Sequence, residues 1–290
     1  MTTTVARLAC DQPTARRLAA YLGESLAPEG IACAAFEGDG GQWQVAIHFR
    51  ARPDEANLRT LVAIAAGEAA AAALTIEPVA PADWVKQSLA GLKPVRAGRF
   101  MVHGAHDRAR VKPNDIGIEI EAALAFGTGH HGTTRGCLLA LDELAKRRQA
   151  PRVLDLGTGS GVLAIAAAKI LRARVTASDI DPVAVEAARA NARLNRAGVA
   201  ITFVRAAGAN ARAIVTAKPY DLIFANILLG PLLRLAVPLC RLAAPGARMV
   251  LSGLLPGHAN AVLAIYRAQG FALERRIALD GWVTLVLKNS

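Results

Sequence analysis

At 290 residues and 30.3 kDa the chain is long enough for two domains that each bury a core, and a hydrophobic fraction of 53% excludes a disordered one. The net charge of +11 and pI near 10.2 would draw it towards polyanions or acidic surfaces. The arginines are nevertheless scattered in short pairs such as Arg16-Arg17 and Arg275-Arg276, with no basic tail or basic-aromatic stripe, so direct RNA contact stays open without a declared site. Cys10, Cys33, Cys137 and Cys240 form no C-x-x-C pair and read as buried thiols in a reducing compartment. Met1 to Asp11 lacks the basic and apolar segments of a signal peptide. The most apolar long window, Leu61 to Ile76, is interrupted by Gly67 and Glu68 and falls short of a membrane span. A soluble cytoplasmic monomer is expected.

In chain order, Thr3 to Leu8 alternates as a strand, Pro13 to Ser25 has helical spacing, and Gly30 to Phe36 and Trp43 to Phe49 are extended. Pro53 to Ala66 then reads as a helix and Leu74 to Val79 as a last strand. The order β-α-β-β-α-β is that of a ferredoxin-like α+β domain over residues 1–78. Nothing in it has catalytic spacing, so it is expected to grip a substrate. Pro78 to Pro81 mark a boundary, residues 79–94 read as a connector with a helix Trp84 to Leu89, and residues 95–290 form the second domain. That domain opens on short apolar runs from Val95 to Ile120, which suggest a small hairpin or lid.

The loop Ala125-Phe126-Gly127-Thr128-Gly129-His130-His131-Gly132-Thr133-Thr134 feeds a helix running to Arg147. Its glycines, Gly127 among them, allow close backbone approach, and free N–H groups at a helix start can bind a carboxylate. Thr133 and Thr134 either assist that or cap the helix, and Phe126 either covers a cofactor or packs the core. His130 and His131 lack carboxylate or cysteine companions, so no metal site is expected.

Val153-Leu154-Asp155-Leu156 then reads as a buried strand running into Gly157-Thr158-Gly159-Ser160-Gly161 and a helix from Val162 to Ile170. Gly157 and Gly159 would let a ligand lie against the backbone, and Gly161 would bring the helix close to the strand. Counted from Gly157, the last position of a dinucleotide fingerprint falls on Val162, which is too large, so an NAD oxidoreductase is disfavoured. The run G-x-G-x-G behind Asp155 points instead to S-adenosylmethionine. A second strand, Val175 to Ser178, ends at Asp179, eighteen residues beyond Gly161, where a carboxylate can hold a ribose diol. Asp181 caps the helix at Pro182, leaving Asp179 for the ligand. A helix Pro182 to Asn195, strand Ala200 to Val204 and strand Asp221 to Ala225 follow. Asn226-Ile227 stands at the carboxyl end of that last strand. Beyond it come helix Leu232 to Leu242, a turn at Pro245-Gly246, strand Arg248 to Leu254, helix Ala259 to Gln269 and a final pair of strands.

Four of these segments, Ala125 to His130 with Thr133-Thr134, Asp155 to Gly161, Asp179 to Pro182 and Ala225 to Leu228, resemble in order and spacing the ribosomal protein L-eleven methyltransferase family (PrmA). The resemblance extends over most of residues 80–290. It implies a class I S-adenosylmethionine-dependent methyltransferase, an α/β Rossmann-like fold with a seven-stranded doubly wound sheet, joined to the ferredoxin-like domain. It further implies methylation of lysine side-chain and N-terminal amines on the large-subunit ribosomal protein L-eleven. On that reading Phe126, Gly127, Thr133, Thr134, Asp155, Gly157, Gly159, Gly161, Asp179 and Asn226 bind cofactor, and the Asn226 amide oxygen and Ile227 carbonyl accept hydrogen bonds from the amine. Asn226 is followed by Ile227-Leu228-Leu229 rather than the Pro-Pro-Tyr of amide and adenine methylating relatives, which favours an aliphatic amine. The competing readings are a methyltransferase of another protein or RNA, and a non-catalytic S-adenosylmethionine-binding module.

Overall fold

The computed structural model describes residues 3–25, 32–37, 43–49, 52–79, 94–120, 132–147 and 149–289. It divides into two compact units, residues 1–87 and 88–290.

In the first unit, strands β1 (Thr3–Cys10), β2 (Ala32–Glu37), β3 (Trp43–Phe49) and β4 (Thr75–Val79) form one antiparallel sheet of order β2-β3-β1-β4. Helices α1 (Gln12–Ser25) and α2 (Glu55–Ala66) alternate with the strands, as a ferredoxin-like domain requires. The apolar residues of α1 and α2 follow helical spacing, so Leu18, Leu22, Leu58 and Val62 bury together against Val45 and Ile47 of β3. Asp54 caps α2 by accepting from the N–H groups of Ala56 and Asn57. The periodicity had not separated a short helix α3 (Glu68–Ala73), which Gly67 sets off from α2 with a φ of +89°.

In the second unit a small sheet comes first, of β5 (Val95–Ala97), β6 (Phe100–His103) and β7 (Ile116–Glu119). It is more than the expected hairpin, because β6 pairs parallel with β7. Asn195 ties its far end down: the side chain accepts from the Glu119 N–H at 2.9 Å and donates to the Glu119 carbonyl at 2.6 Å, as another strand would.

The main sheet follows, with α4 (Gly132–Arg147), β8 (Arg152–Leu156), α5 (Val162–Leu171), β9 (Arg174–Asp179), α6 (Pro182–Leu194) and β10 (Ile201–Arg205). After these come α7 (Arg212–Thr216), β11 (Tyr220–Asn226), α8 (Leu229–Arg234), α9 (Ala236–Cys240), β12 (Ala243–Leu254), α10 (Ala259–Arg267), β13 (Phe271–Leu279) and β14 (Trp282–Asn289). The sheet order is β10-β9-β8-β11-β12-β14-β13, with β14 antiparallel to both its neighbours. This is the seven-stranded class I methyltransferase arrangement. The chain reverses its direction of winding between β8 and β11, so the carboxyl ends of these two central strands open onto the crevice where ligands bind in such sheets.

Two layers of core flank the sheet. One holds Val153, Ile165, Val175, Phe224 and Leu138, and the other Leu154, Ile223, Met249, Leu251 and Tyr266. Neighbouring residues on a strand thus bury on opposite faces, which is why these strands read as continuous apolar runs.

Three expectations are corrected. The single helix from Leu232 to Leu242 is two, broken at Leu235, because Pro238 has no N–H to offer the Arg234 carbonyl. Pro245-Gly246 lies inside β12, where the pairing slips between Tyr220/Ala243 and Leu222/Arg248 and Gly246 takes a φ of +70°. Of the cysteines, Cys137 is buried but Cys10 and Cys240 are only partly so. The connector helix and residues 121–131 lie outside the described residues.

Candidate active site

The turn after β8 is built by three glycines, Gly157, Gly159 and Gly161, all with positive φ of 73°, 53° and 82°. No side chain tolerates that sequence of conformations cheaply. The turn is held from both neighbours. The Gly157 and Thr158 N–H groups donate to the Ser178 carbonyl on β9, and Gly159 N–H donates to Asp179 Oδ2 at 2.9 Å. Space is the second reason for glycine: a Cβ at Gly157 would overlap Ile227 Cγ2, and one at Gly161 would stand 3.0 Å from Ala188 Cβ. The close approach at Gly161 is therefore to helix α6, not to the strand expected from the sequence.

Asp155 lies beneath the turn, 1% exposed. Its Oδ2 accepts from the Thr158 hydroxyl at 2.6 Å and from Ala164 N–H at 3.1 Å, so it serves helix α5 as the cap that Gly161 cannot supply. Its Oδ1 is buried with no hydrogen-bond partner among the described residues. Burial pushes the carboxyl up to about 6, against the pull of the two donors, and the nearby Asp179 charge raises it further.

Asp179 ends β9, with Oδ2 on Gly159 N–H and Oδ1 accepting from Asp181 N–H at 3.1 Å. Asp181 caps α6 through Val183 N–H at 2.9 Å. Asp179 is thus a brace of the glycine turn and not wholly free, yet each carboxylate oxygen retains a lone pair for a further donor.

At the end of β11, Asn226 Nδ2 donates to Thr134 Oγ1 at 3.4 Å. Thr133 and Thr134 are buried in the first turn of α4, which starts at Gly132, so neither occupies the cap position. Ser252 Oγ joins them, donating to the Thr133 carbonyl at 3.3 Å and sharing a hydrogen with Thr284 Oγ1 at 2.8 Å. Beyond Asn226, Ile227 is boxed in: its side chain fills the space over Gly157, and its carbonyl lies where a Cβ of Gly253 would be.

The structure therefore brings together Asp155, Gly157, Gly159, Gly161, Asp179, Asn226, Ile227, Thr133 and Thr134 at the carboxyl ends of β8, β9 and β11. Phe126, Gly127, His130 and His131 lie outside the described residues. Gly253 and Ser252 were missed; the only signal was a glycine in the strand pattern Arg248 to Leu254, which marks a close backbone approach. Among the described residues no group of three or more metal-ligating side chains occurs, and no helix is long and apolar enough to cross a membrane.

The site fits S-adenosylmethionine. An open glycine turn offers its backbone, a carboxylate stands at the end of the second strand, and the buried orphan Asp155 Oδ1 suits a ligand that carries cationic groups. Residues 34–290 match the family described as ribosomal protein L11 methyltransferase (PrmA). The ribosomal protein L11 methyltransferase of Rhodopseudomonas palustris (strain BisB5) is 54% identical over 281 residues, covering 97% of this chain and 95% of that protein. That of Bradyrhizobium diazoefficiens is 53% identical over 278 residues, covering 96% and 94%. A solved ribosomal protein L11 methylase from Lactobacillus delbrueckii subsp. bulgaricus superposes with a TM-score of 0.62 at 27% identity, over 69% of this chain and 100% of that one. The chain belongs to the ribosomal protein L11 methyltransferase (PrmA) family.

Proposed function

We propose that this methyltransferase acts on ribosomal protein L11, transferring methyl groups to lysine side-chain and N-terminal amines. The observation that carries the reading is Asn226 at the carboxyl end of β11, hydrogen-bonded to Thr134 and followed by Ile227 and not by a proline and an aromatic clamp. When bound, S-adenosylmethionine supplies an electrophilic methyl on a sulfonium. What remains for the protein is to hold a neutral amine behind that methyl, and orientation supplies most of the gain. The Asn226 amide, its nitrogen turned to Thr134, leaves Oδ1 for one amine hydrogen, and the Ile227 carbonyl takes another. Two acceptors aim the nitrogen lone pair and favour the uncharged form. Asp179 holds the ribose, Gly157 and Gly159 leave the backbone open beneath the cofactor, and Asp155 faces its positive charge. Phe126, Gly127, Thr133 and Thr134 complete the cofactor site, with domains at 1–78 and 95–290 joined by residues 79–94. The molecule works as a cytoplasmic monomer, the N-terminal domain gripping the substrate.

Label transfer from methyl-tritiated S-adenosylmethionine into a lysate of cells lacking the enzyme tests this. A protease-sensitive, nuclease-resistant band at the size of L11 is expected; label lost to nuclease would make RNA the acceptor.

Two consequences concern the cofactor. Because burial pushes the Asp155 carboxyl up to about 6, it is protonated at lower pH and must lose its proton to face a cation. Affinity for S-adenosylmethionine should therefore fall by about tenfold per pH unit below that value and level off above it. Titration calorimetry at pH 5 and 7.5 reads this, and Asp155→Asn should flatten the dependence. Separately, Asp179→Ala removes both the ribose acceptor and the brace on Gly159, so the dissociation constant should rise by about tenfold or more. Equal affinity in that variant would remove Asp179 from the site.

A further inference from the structure

We propose that the edge of the main sheet opposite the glycine turn is a docking surface for the phosphate backbone of double-helical RNA. This rests on the fold and the charge pattern and is independent of the acceptor assigned above. Five neighbouring strands, β9, β8, β11, β12 and β14, each bring one exposed cation to this edge. Arg174 and Arg152 begin β9 and β8, Lys218 and Arg241 stand two residues ahead of β11 and β12, and Lys288 is the penultimate residue of the antiparallel β14. At the usual spacing between strands the row runs about 19 Å. Arg147, Arg172, Arg193 and Arg196, all exposed, lie at the carboxyl ends of α4, α5 and α6, on the same edge.

Helix dipoles account for part of this, since cations are favoured at helix carboxyl ends. They do not account for Arg152 and Arg174, which begin strands and face each other directly in register. Like charges so placed repel, and neither side chain has an ion-pair partner among the described residues. Asp221 is turned to the Arg152 backbone N–H, and Glu143 is engaged by Arg147 and Arg275. A row of cations with no ion-pair partner among the described residues, kept against its own repulsion, fits a polyanion.

The residue types select among polyanions. Seven of these nine cations are arginine, whose planar fork matches phosphate oxygens. Among the described residues the large exposed hydrophobics include no aromatic, so this edge shows no platform on which single-stranded bases could stack. Leu194 and Val199 are isolated aliphatic side chains near this edge and do not make a membrane-inserting face. What remains is recognition of phosphates on a helix by shape and charge.

Fluorescence anisotropy of the full chain with a labelled RNA duplex of about 16 base pairs tests the proposal. Binding is expected, with log affinity falling against log salt at a slope of about −4 for five phosphate contacts. Arg152→Glu with Arg174→Glu should weaken it by about tenfold or more, while Arg7→Glu with Arg52→Glu, exposed positions in the first unit with the same change of charge, should alter it less than about twofold. Retained S-adenosylmethionine binding certifies the first pair as folded; if it is lost, Lys218→Glu with Arg241→Glu gives the same reading. Absence of duplex binding, equal losses in the two pairs, tighter binding to a single strand or to a DNA duplex of the same length, or binding only to phosphatidylserine vesicles would each overturn it.

Discussion

Gly253→Ala should lower kcat by about a hundredfold while leaving S-adenosylmethionine affinity within a few fold. Gly253 sits on β12 next to the end of β11 with a φ of +84°, and a Cβ there would overlap the Ile227 carbonyl oxygen and stand 3.0 Å from its carbon. That neighbour is backbone, so it cannot rotate away as the tip of a side chain would. Nor can Ile227 retreat, because its side chain already fills the space over Gly157. The alanine therefore displaces the carbonyl proposed to receive the amine, and a displacement of the order of 1 Å at a reacting centre is costly. The left-handed backbone adds about 1–2 kcal/mol of strain to the fold, which thermal unfolding reads independently. An unchanged kcat would mean that the Ile227 carbonyl does not touch the acceptor.

The second large effect is at Asn226. Asn226→Ala should reduce kcat by about two to three orders of magnitude, the usual loss when one preorganised polar group is removed from a reacting centre. Cofactor affinity should change far less than in Asp179→Ala, because Asn226 reaches Thr134 and not the glycine turn. Asn226→Ala leaves Thr134 Oγ1 without that donor, so some loss of stability accompanies the change. Equilibrium binding of S-adenosylmethionine separates that loss from the chemical one. A variant with normal turnover would place the amine elsewhere.

How much of this could be read in the sequence depends on how local each feature is. The glycine turn, the carboxylate at the end of β9 and the Asp181-Pro182 cap each specify themselves within a few residues, and the structure has them as expected. The ferredoxin-like order of the first unit was legible because its strands alternate and its helices keep helical spacing. Gly253 was not, since its meaning lies in Ile227, which approaches only when β12 pairs with β11. Asn195 presents the same difficulty: in the chain it is a helix end, and in space it stands in for a strand beside Glu119. The buried state of Asp155 was foreshadowed by the apolar residues around it, but the orphaned Oδ1 follows from how Thr158 and Ala164 take only the other oxygen. The basic edge was invisible for the same reason. Arg152 and Arg174 are scattered in sequence and become neighbours only through strand register.

The proposed function rests on transfer of a methyl group to an amine held by Asn226 and Ile227. Its most direct test takes purified ribosomal protein L11 from cells lacking the enzyme, incubates it with S-adenosylmethionine and either the wild-type protein or Asn226→Ala, and maps the methylated peptides by mass spectrometry. Methyl groups on lysine side chains and the N-terminal amine with the wild type, and their near absence with the variant, is the predicted result. Unmodified L11 in the presence of wild-type protein that binds S-adenosylmethionine, or methyl groups confined to side-chain amides, would contradict it.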